Sequence, residues 1–169
     1  MSVCRPPAAQ DAQTYEGQKG ARVPVAKDAP HSEVTYKIIG AALEVHHKIG
    51  PGHRERVYQD MLTDAMVARG LKVQPESRIE IVVDEKVYGL LYLDHLVNEA
   101  VIVECKAIPH LLTNEELAQV ITYLAATGLP VGLLLNFGRR RLEFKRVFPP
   151  KKLDGWKDHI APFLWRPKE

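Results

Sequence analysis

Three acid-x-Lys tripeptides punctuate the chain: Asp84-Glu85-Lys86, Glu104-Cys105-Lys106 and Glu143-Phe144-Lys145. The first falls where a hairpin turn is expected and the third on a strand of alternating polarity, so solvated charge explains both. Glu104-Cys105-Lys106 differs, because Val101-Ile102-Val103 leads into it and Ala107-Ile108 follows. Its charges end a strand that otherwise reads as interior, and buried charge is costly without a partner or a metal. Residues i and i+2 share a strand face, so Glu104 and Lys106 point the same way, roughly 6 to 7 Å apart. Asp94 lies ten residues earlier, on the preceding strand. The turn at Asn98-Glu99-Ala100 decides whether the two acids meet. A three-residue loop pairs Asp94 with Glu104 on one face, whereas a two-residue loop pairs Asp94 with Val103 and sends Glu104 to the other side.

Two carboxylates at contact distance repel unless a cation lies between them, and all-oxygen ligation suits Mg²⁺ or Mn²⁺ rather than Zn²⁺. Asp94 and Glu104 are the candidate ligands, with the backbone carbonyl of Cys105 as a third. Such an ion would lower the pKa of a bound water and stabilise charge on a phosphoryl oxygen, while Lys106 orients the water or neutralises the pentavalent transition state. The chemistry is metal-assisted phosphodiester hydrolysis. Glu55 opens a helix, where amide dipoles favour a carboxylate, and Tyr58 stands one turn on as a candidate nucleic-acid contact. Gln119 and Tyr123 are likewise one turn apart, on the helix after the Glu104 strand. Histidines 46 and 47 point about 100° apart on a helix and cannot share one metal. His95 should face the side of the sheet opposite the proposed site.

The elements that position these residues follow from periodicity. Ile38, Ala42, Val45 and Ile49 recur at helical spacing until Gly50-Pro51-Gly52 stops the helix. A second helix carries Val57, Met61, Ala65 and Ala68 on one face and ends at Gly70, suited to a left-handed cap. Ile79, Ile81 and Val83 alternate with polar residues. Asp84-Glu85-Lys86 interrupts, and strands over 87–97 and 101–107 follow. Thr113-Asn114-Glu115-Glu116 has capping-box spacing and opens a helix with Leu117, Val120, Ile121 and Leu124 inside, closed by Gly128. Residues 129–137 are nearly all apolar, as in a strand buried on both faces, and 141–148 alternate like an outer strand.

At 169 residues, with 46% hydrophobic and 26% charged side chains, the chain suits one compact globular domain and excludes collagen, coiled coil and wholesale disorder. No apolar stretch is long enough to span a membrane, and the first residues lack the apolar core of an export signal. With only two cysteines, Cys4 and Cys105, no disulfide framework is indicated, and a cytoplasmic protein is expected. Residues 1–30 read as a flexible arm, 31–149 as the domain, and 150–169 as a basic, aromatic tail. The net charge of +2 hides a split: 31–137 hold 9 basic and 14 acidic residues, whereas 138–169 hold 10 and 4. Arg139, Arg140, Arg141, Lys145 and Arg146 read either as a solvated face or, with Phe144, Phe148 and Trp156 interleaved, as a phosphate-binding rim.

The run from Val45 to Tyr58, with Gly52, Glu55 and Tyr58 at the named positions, resembles the signature of the GxxExxY proteins within the PD-(D/E)XK nuclease superfamily. Asp94-His95-Leu96-Val97, Val101 to Ala107, Gln119 to Tyr123 and Ala126 to Gly138 resemble the remainder in order and spacing. Leu93 stands where the superfamily's name has Pro, and Tyr92 where a basic residue is expected. The resemblance implies a restriction-endonuclease-like αβββαβ core with a mixed sheet flanked by helices. It also implies a Mg²⁺ or Mn²⁺ site of Asp94 and Glu104, Lys106 as catalytic lysine, Glu55 as an auxiliary acid among the metal ligands, and support from Gln119 and Tyr123 as in RecB-like nucleases. The expected function is a metal-dependent nuclease acting on DNA or RNA; the alternative is an inactive module that binds nucleic acid or a protein.

Overall fold

The computed structural model describes residues 29–149. The expected tail, with Trp156 and Lys151, Lys152 and Lys157, and nearly all of the expected arm lie outside these residues. Helices α1 (Ser32–Ile49) and α2 (Glu55–Ala68) come first, then strands β1 (Val73–Val83), β2 (Lys86–Val97) and β3 (Val101–Lys106). Helix α3 (Asn114–Thr127) leads to β4 (Val131–Asn136) and β5 (Glu143–Val147). The strands form one sheet in the order β1-β2-β3-β4-β5. Only β3 and β4 are parallel, joined by the α3 crossover; every other pair is antiparallel. This is the mixed α/β core that the resemblance implies. Among the described residues, no helix is long and apolar enough to cross a membrane.

The sheet separates two apolar clusters. On one side Ile38, Ala42 and Val45 of α1 and Tyr58, Leu62 and Met66 of α2 pack on Val101, Val103, Leu133 and Leu135. On the other, Val120, Tyr123 and Leu124 of α3 pack on Leu91, Leu93, Ile102 and Leu134. Strands β3 and β4 are therefore covered on both faces, as continuous apolar runs require. Gly132 is obligatory here: a Cβ at that position would overlap Val120 Cγ1, so α3 lies against bare backbone.

The helix ends follow local chemistry. At α3, the Thr113 backbone amide donates to Glu116 Oε2 at 2.7 Å while the Thr113 hydroxyl caps the first turn. At α2, Gly70 (φ 76°) closes a Schellman turn, with Gly70 N donating to Val67 O and Leu71 N to Met66 O. The buried face of α2 is displaced one residue from expectation. Tyr58, Leu62 and Met66 are buried, whereas Val57 is 41% exposed. Tyr58 and Leu62 carry more apolar area than Val57 and Ala65, and burial follows that area.

The β1–β2 hairpin corrects the simple alternation in a more consequential way. Its turn has Asp84 and Glu85 both at positive φ, as a two-residue hairpin loop demands, and Val83 beside it is half exposed. Val73 and Val97, near its base, belong with the α1/α2 cluster, but Ile79, Ile81, Leu91 and Leu93 belong with the α3 cluster. The hairpin thus exchanges its faces along its length. The inversion falls between Pro75↔His95 and Ser77↔Leu93, where the ladder omits Glu76 and Asp94, and Glu76 has φ 53°.

Candidate active site

Asp94 sits at that inversion, where β2 leaves β3. Val97↔Val101 close a three-residue turn, and the β2–β3 ladder runs only as far as His95↔Val103. This is the register that sends Asp94 towards Glu104. Beyond the last pair the Asp94 side chain replaces a strand neighbour: its Oδ2 accepts the Cys105 backbone N–H at 2.8 Å. On the other edge of β3, Phe137 N donates to Lys106 O at 2.8 Å. Backbone groups alternate in direction along a strand, so Cys105 directs its carbonyl, like its N–H, towards the Asp94 side.

Glu104 is 3% exposed. Its Oε1 accepts a hydrogen bond from Lys106 Nζ at 2.9 Å, and its Oε2 is buried with no hydrogen-bond partner. Burial, reinforced by the nearby charge of Asp94, pushes the carboxyl up to about 7 against the pull of Lys106. Burial alone would lower the Lys106 ammonium, but Glu104, Glu55 and Asp94 outweigh it and raise its pKa. Glu55 is raised mainly by burial and then by Asp94, with Lys106 and a backbone hydrogen bond at Ala107 opposing. Tyr123 is pushed up by burial and by Glu104, so its hydroxyl stays protonated. Gln119 Nε2 donates to that hydroxyl oxygen at 2.7 Å, leaving the Tyr123 proton available to a ligand.

Six of the sequence candidates therefore converge: Glu55, Asp94, Glu104, Lys106, Gln119 and Tyr123. Others do not. Among the described residues no group of three or more His, Cys, Asp or Glu side chains is placed to hold a metal ion. Glu55 is held at the start of α2 by Gln59 and the Ala107 backbone. Tyr58 is not a surface contact: it is wholly buried, stacked on Phe137 at 4.7 Å between ring centroids. Its hydroxyl donates to Gly50 O at 2.6 Å and accepts from His53 N at 3.2 Å, pinning the Gly50–His53 loop that precedes Glu55.

The basic rim is likewise divided. Lys145 and Arg146 are adjacent on β5 and point to opposite faces. Lys145 donates to Leu112 O, whereas Arg146 Nε donates to the Thr35 hydroxyl of α1. Arg139 approaches Glu143 at 3.9 Å. Arg140 and Arg141 alone of the five are exposed. The histidines hold backbone: His46 Nε2 meets Arg139 O and His53 Nε2 meets Ile49 O. His95 does face α2, with Nε2 near the Thr63 hydroxyl at 2.9 Å.

Glu143 and Asn136 have a role that the sequence reading missed. Far from being solvated, the Glu143 carboxylate accepts the Leu112 N–H at 3.2 and 3.0 Å. Asn136, opposite Lys106 on β4, accepts Ile108 N–H and Gly138 N–H and donates to His110 O. Together they strap the loop that leaves Lys106. The available signal was a lone amide ending the wholly apolar run of β4, since a buried amide must find partners.

A search of curated proteins finds no match. Among solved structures, the crystal structure of SSO0001 resembles the chain at 17% identity and a TM-score of 0.49, over 64% of this chain and 55% of that one. The chain thus spans little more than half the length of that protein. The family model for the PD-(D/E)XK nuclease superfamily matches residues 32–147. That range covers most of the chain and every converging residue, and the chain belongs to the PD-(D/E)XK nuclease superfamily.

Proposed function

We propose that the chain is a divalent-metal-dependent nuclease of the GxxExxY branch, hydrolysing phosphodiester bonds of DNA or RNA. The observation that carries this reading is Glu104: a buried carboxylate with one oxygen on Lys106, the other without a partner, and further acids on either side. Structural carboxylates are normally satisfied when buried. An unsatisfied one facing Asp94 fits a site completed by a cation, and oxygen donors suit Mg²⁺ or Mn²⁺. Asp94, Glu104 and the Cys105 carbonyl would hold the ion, which supplies Lewis-acid stabilisation of phosphoryl charge.

The remaining roles belong to side chains. Lys106, kept charged by its acidic neighbours, positions the attacking water and neutralises negative charge building on phosphorus-bound oxygen. Tyr123, protonated and oriented by Gln119, donates a hydrogen bond into the same space. Glu55, partly buried and raised, is an auxiliary acid that orients water. Water forms the new P–O bond and gives up a proton to solvent as the ester P–O bond breaks. The leaving oxygen takes up a proton from solvent, so the step balances as hydrolysis.

The test incubates the purified chain with single- and double-stranded DNA and RNA in Mg²⁺, Mn²⁺ or EDTA, beside Glu104→Gln and Lys106→Ala. Metal-dependent cleavage that drops at least a hundredfold in both variants is expected. Cleavage that survives both substitutions sinks the assignment of the site, and binding without cleavage in either metal selects an inactive nucleic-acid-binding module.

A further inference from the structure

Of the ten large apolar side chains exposed on the described surface, six lie on the β1–β2 hairpin, and Tyr88, Leu90 and Tyr92 share its outer face. Tyr88 is 64% and Tyr92 61% exposed. Contiguous apolar surface of this kind marks a contact with something. The candidate site absorbs none of it.

Two features identify the occupant. The first is direction. Leu91 and Leu93 point into the α3 cluster with Ile102 and Leu134, which flank Glu104 on its own face. Tyr88, Leu90 and Tyr92 are on the opposite face of the hairpin, so its thickness separates them from the carboxylates. A nucleic-acid strand stacked on these tyrosines would not be led to the site. The second is charge. Across from Tyr92 and Leu90 on the same outer face stand Arg78 and Glu80, both exposed. Neither makes an ion pair within the described residues. The tip adds Asp84 and Glu85, and Lys86 lies over the Tyr88 ring at 5.1 Å. A surface with more acids than bases repels phosphates. One base beside one acid, framed by valine, leucine and tyrosine, is instead complementary to itself.

We infer that the outer face of the β1–β2 hairpin is a homodimer interface, where a second copy of this chain packs the same face about a two-fold axis. Arg78 of each copy meets Glu80 of the other across the axis. An isologous contact requires self-complementarity of this sort, and it closes at two copies. The apolar residues supply the contact area and the crossed ion pairs fix its register.

The test measures the mass of the full-length chain by light scattering after size exclusion and its dissociation constant by sedimentation. A dimer at micromolar concentration is expected. Leu90→Glu should yield a monomer, Arg78→Glu and Glu80→Arg should each weaken association at least tenfold, and the double variant Arg78→Glu/Glu80→Arg should restore it. Circular dichroism melts check that each variant folds, and the Leu90→Glu and charge-swap arms probe the face independently. A monomeric wild-type chain overturns the inference. So does a dimer indifferent to all four variants, which would be built elsewhere, or a failure of the double variant to recover. A monomer whose Tyr88→Ala and Tyr92→Ala forms lose binding to single-stranded oligonucleotides would overturn it in favour of a nucleic-acid platform.

Discussion

Glu104 concentrates the energetics of the site in one side chain. Its folded pKa of about 7 exceeds the usual 4.5, so the folded state favours the protonated acid. The associated stability is complete below about pH 4.5 and is lost as pH rises through 7, a swing of about 3 kcal/mol at most. Thermal melts in EDTA should therefore show stability falling from pH 5 to pH 8. Saturating Mn²⁺ should flatten that slope, because a cation favours the ionised form. Glu104→Gln should remove it; an unchanged slope in that variant would assign the titration to another group. The anomaly of Glu104 was legible in the sequence, because an acid ending the run Val101-Ile102-Val103 violates an otherwise apolar pattern. Its orphaned oxygen was not, since satisfaction depends on neighbours that only the folded chain supplies. Glu143 erred the other way: a strand of alternating polarity predicts a solvated carboxylate, and Leu112, 31 residues earlier, comes back to claim it.

Among elements, the pinned loops are where single substitutions should be most costly. Tyr58→Phe removes two hydrogen bonds, to Gly50 O and from His53 N, and should lower unfolding free energy by about 1–2 kcal/mol in denaturant titration. Tyr58→Ala, which also empties the stack on Phe137, should cost roughly 3–5 kcal/mol. At Gly138 a Cβ would overlap the backbone of Ile108 and Ala107. Gly138→Ala should displace the loop after Lys106 and reduce cleavage more than it reduces oligonucleotide binding, a contrast that a kcat and KM comparison measures. The helix stops and the α3 capping box were readable because they depend on residues three or four apart. The inversion of the hairpin was not, because it turns on a positive φ at Glu76, a residue type that seldom adopts one. The Glu76 carboxylate pairs with Arg56 on α2.

Over the whole molecule, ion pairs sort the charge. Lys37, Lys48, Arg56, Arg69 and Lys72 are each neutralised by a nearby acid. Arg54, Arg140 and Arg141 are exposed and make no ion pair among the described residues. They lie at the carboxyl ends of β3 and β4: Arg54 precedes Glu55, and the other two follow β4. The strongly basic segment that begins at residue 138 thus contributes two arginines to this end of the described structure, rather than five basic residues. If they contact phosphates, Arg140→Ala/Arg141→Ala should reduce the slope of log affinity against log salt by about 1 per arginine, measured by fluorescence anisotropy on a labelled oligonucleotide in EDTA. An unchanged slope would remove both from the interface.

The Asp94 hydrogen bond to Cys105 N–H alters how an inactive descendant of this protein would look. Where β2 leaves β3, a side chain completes what would otherwise be a backbone ladder, so selection for folding alone maintains a hydrogen-bond acceptor there after any reaction is lost. Asp94→Asn keeps an acceptor while removing the charge, and so separates the two inheritances in a way that Asp94→Ala cannot. Drift at Glu104, whose second oxygen serves no neighbour in the fold, is the earlier mark of an abandoned chemistry.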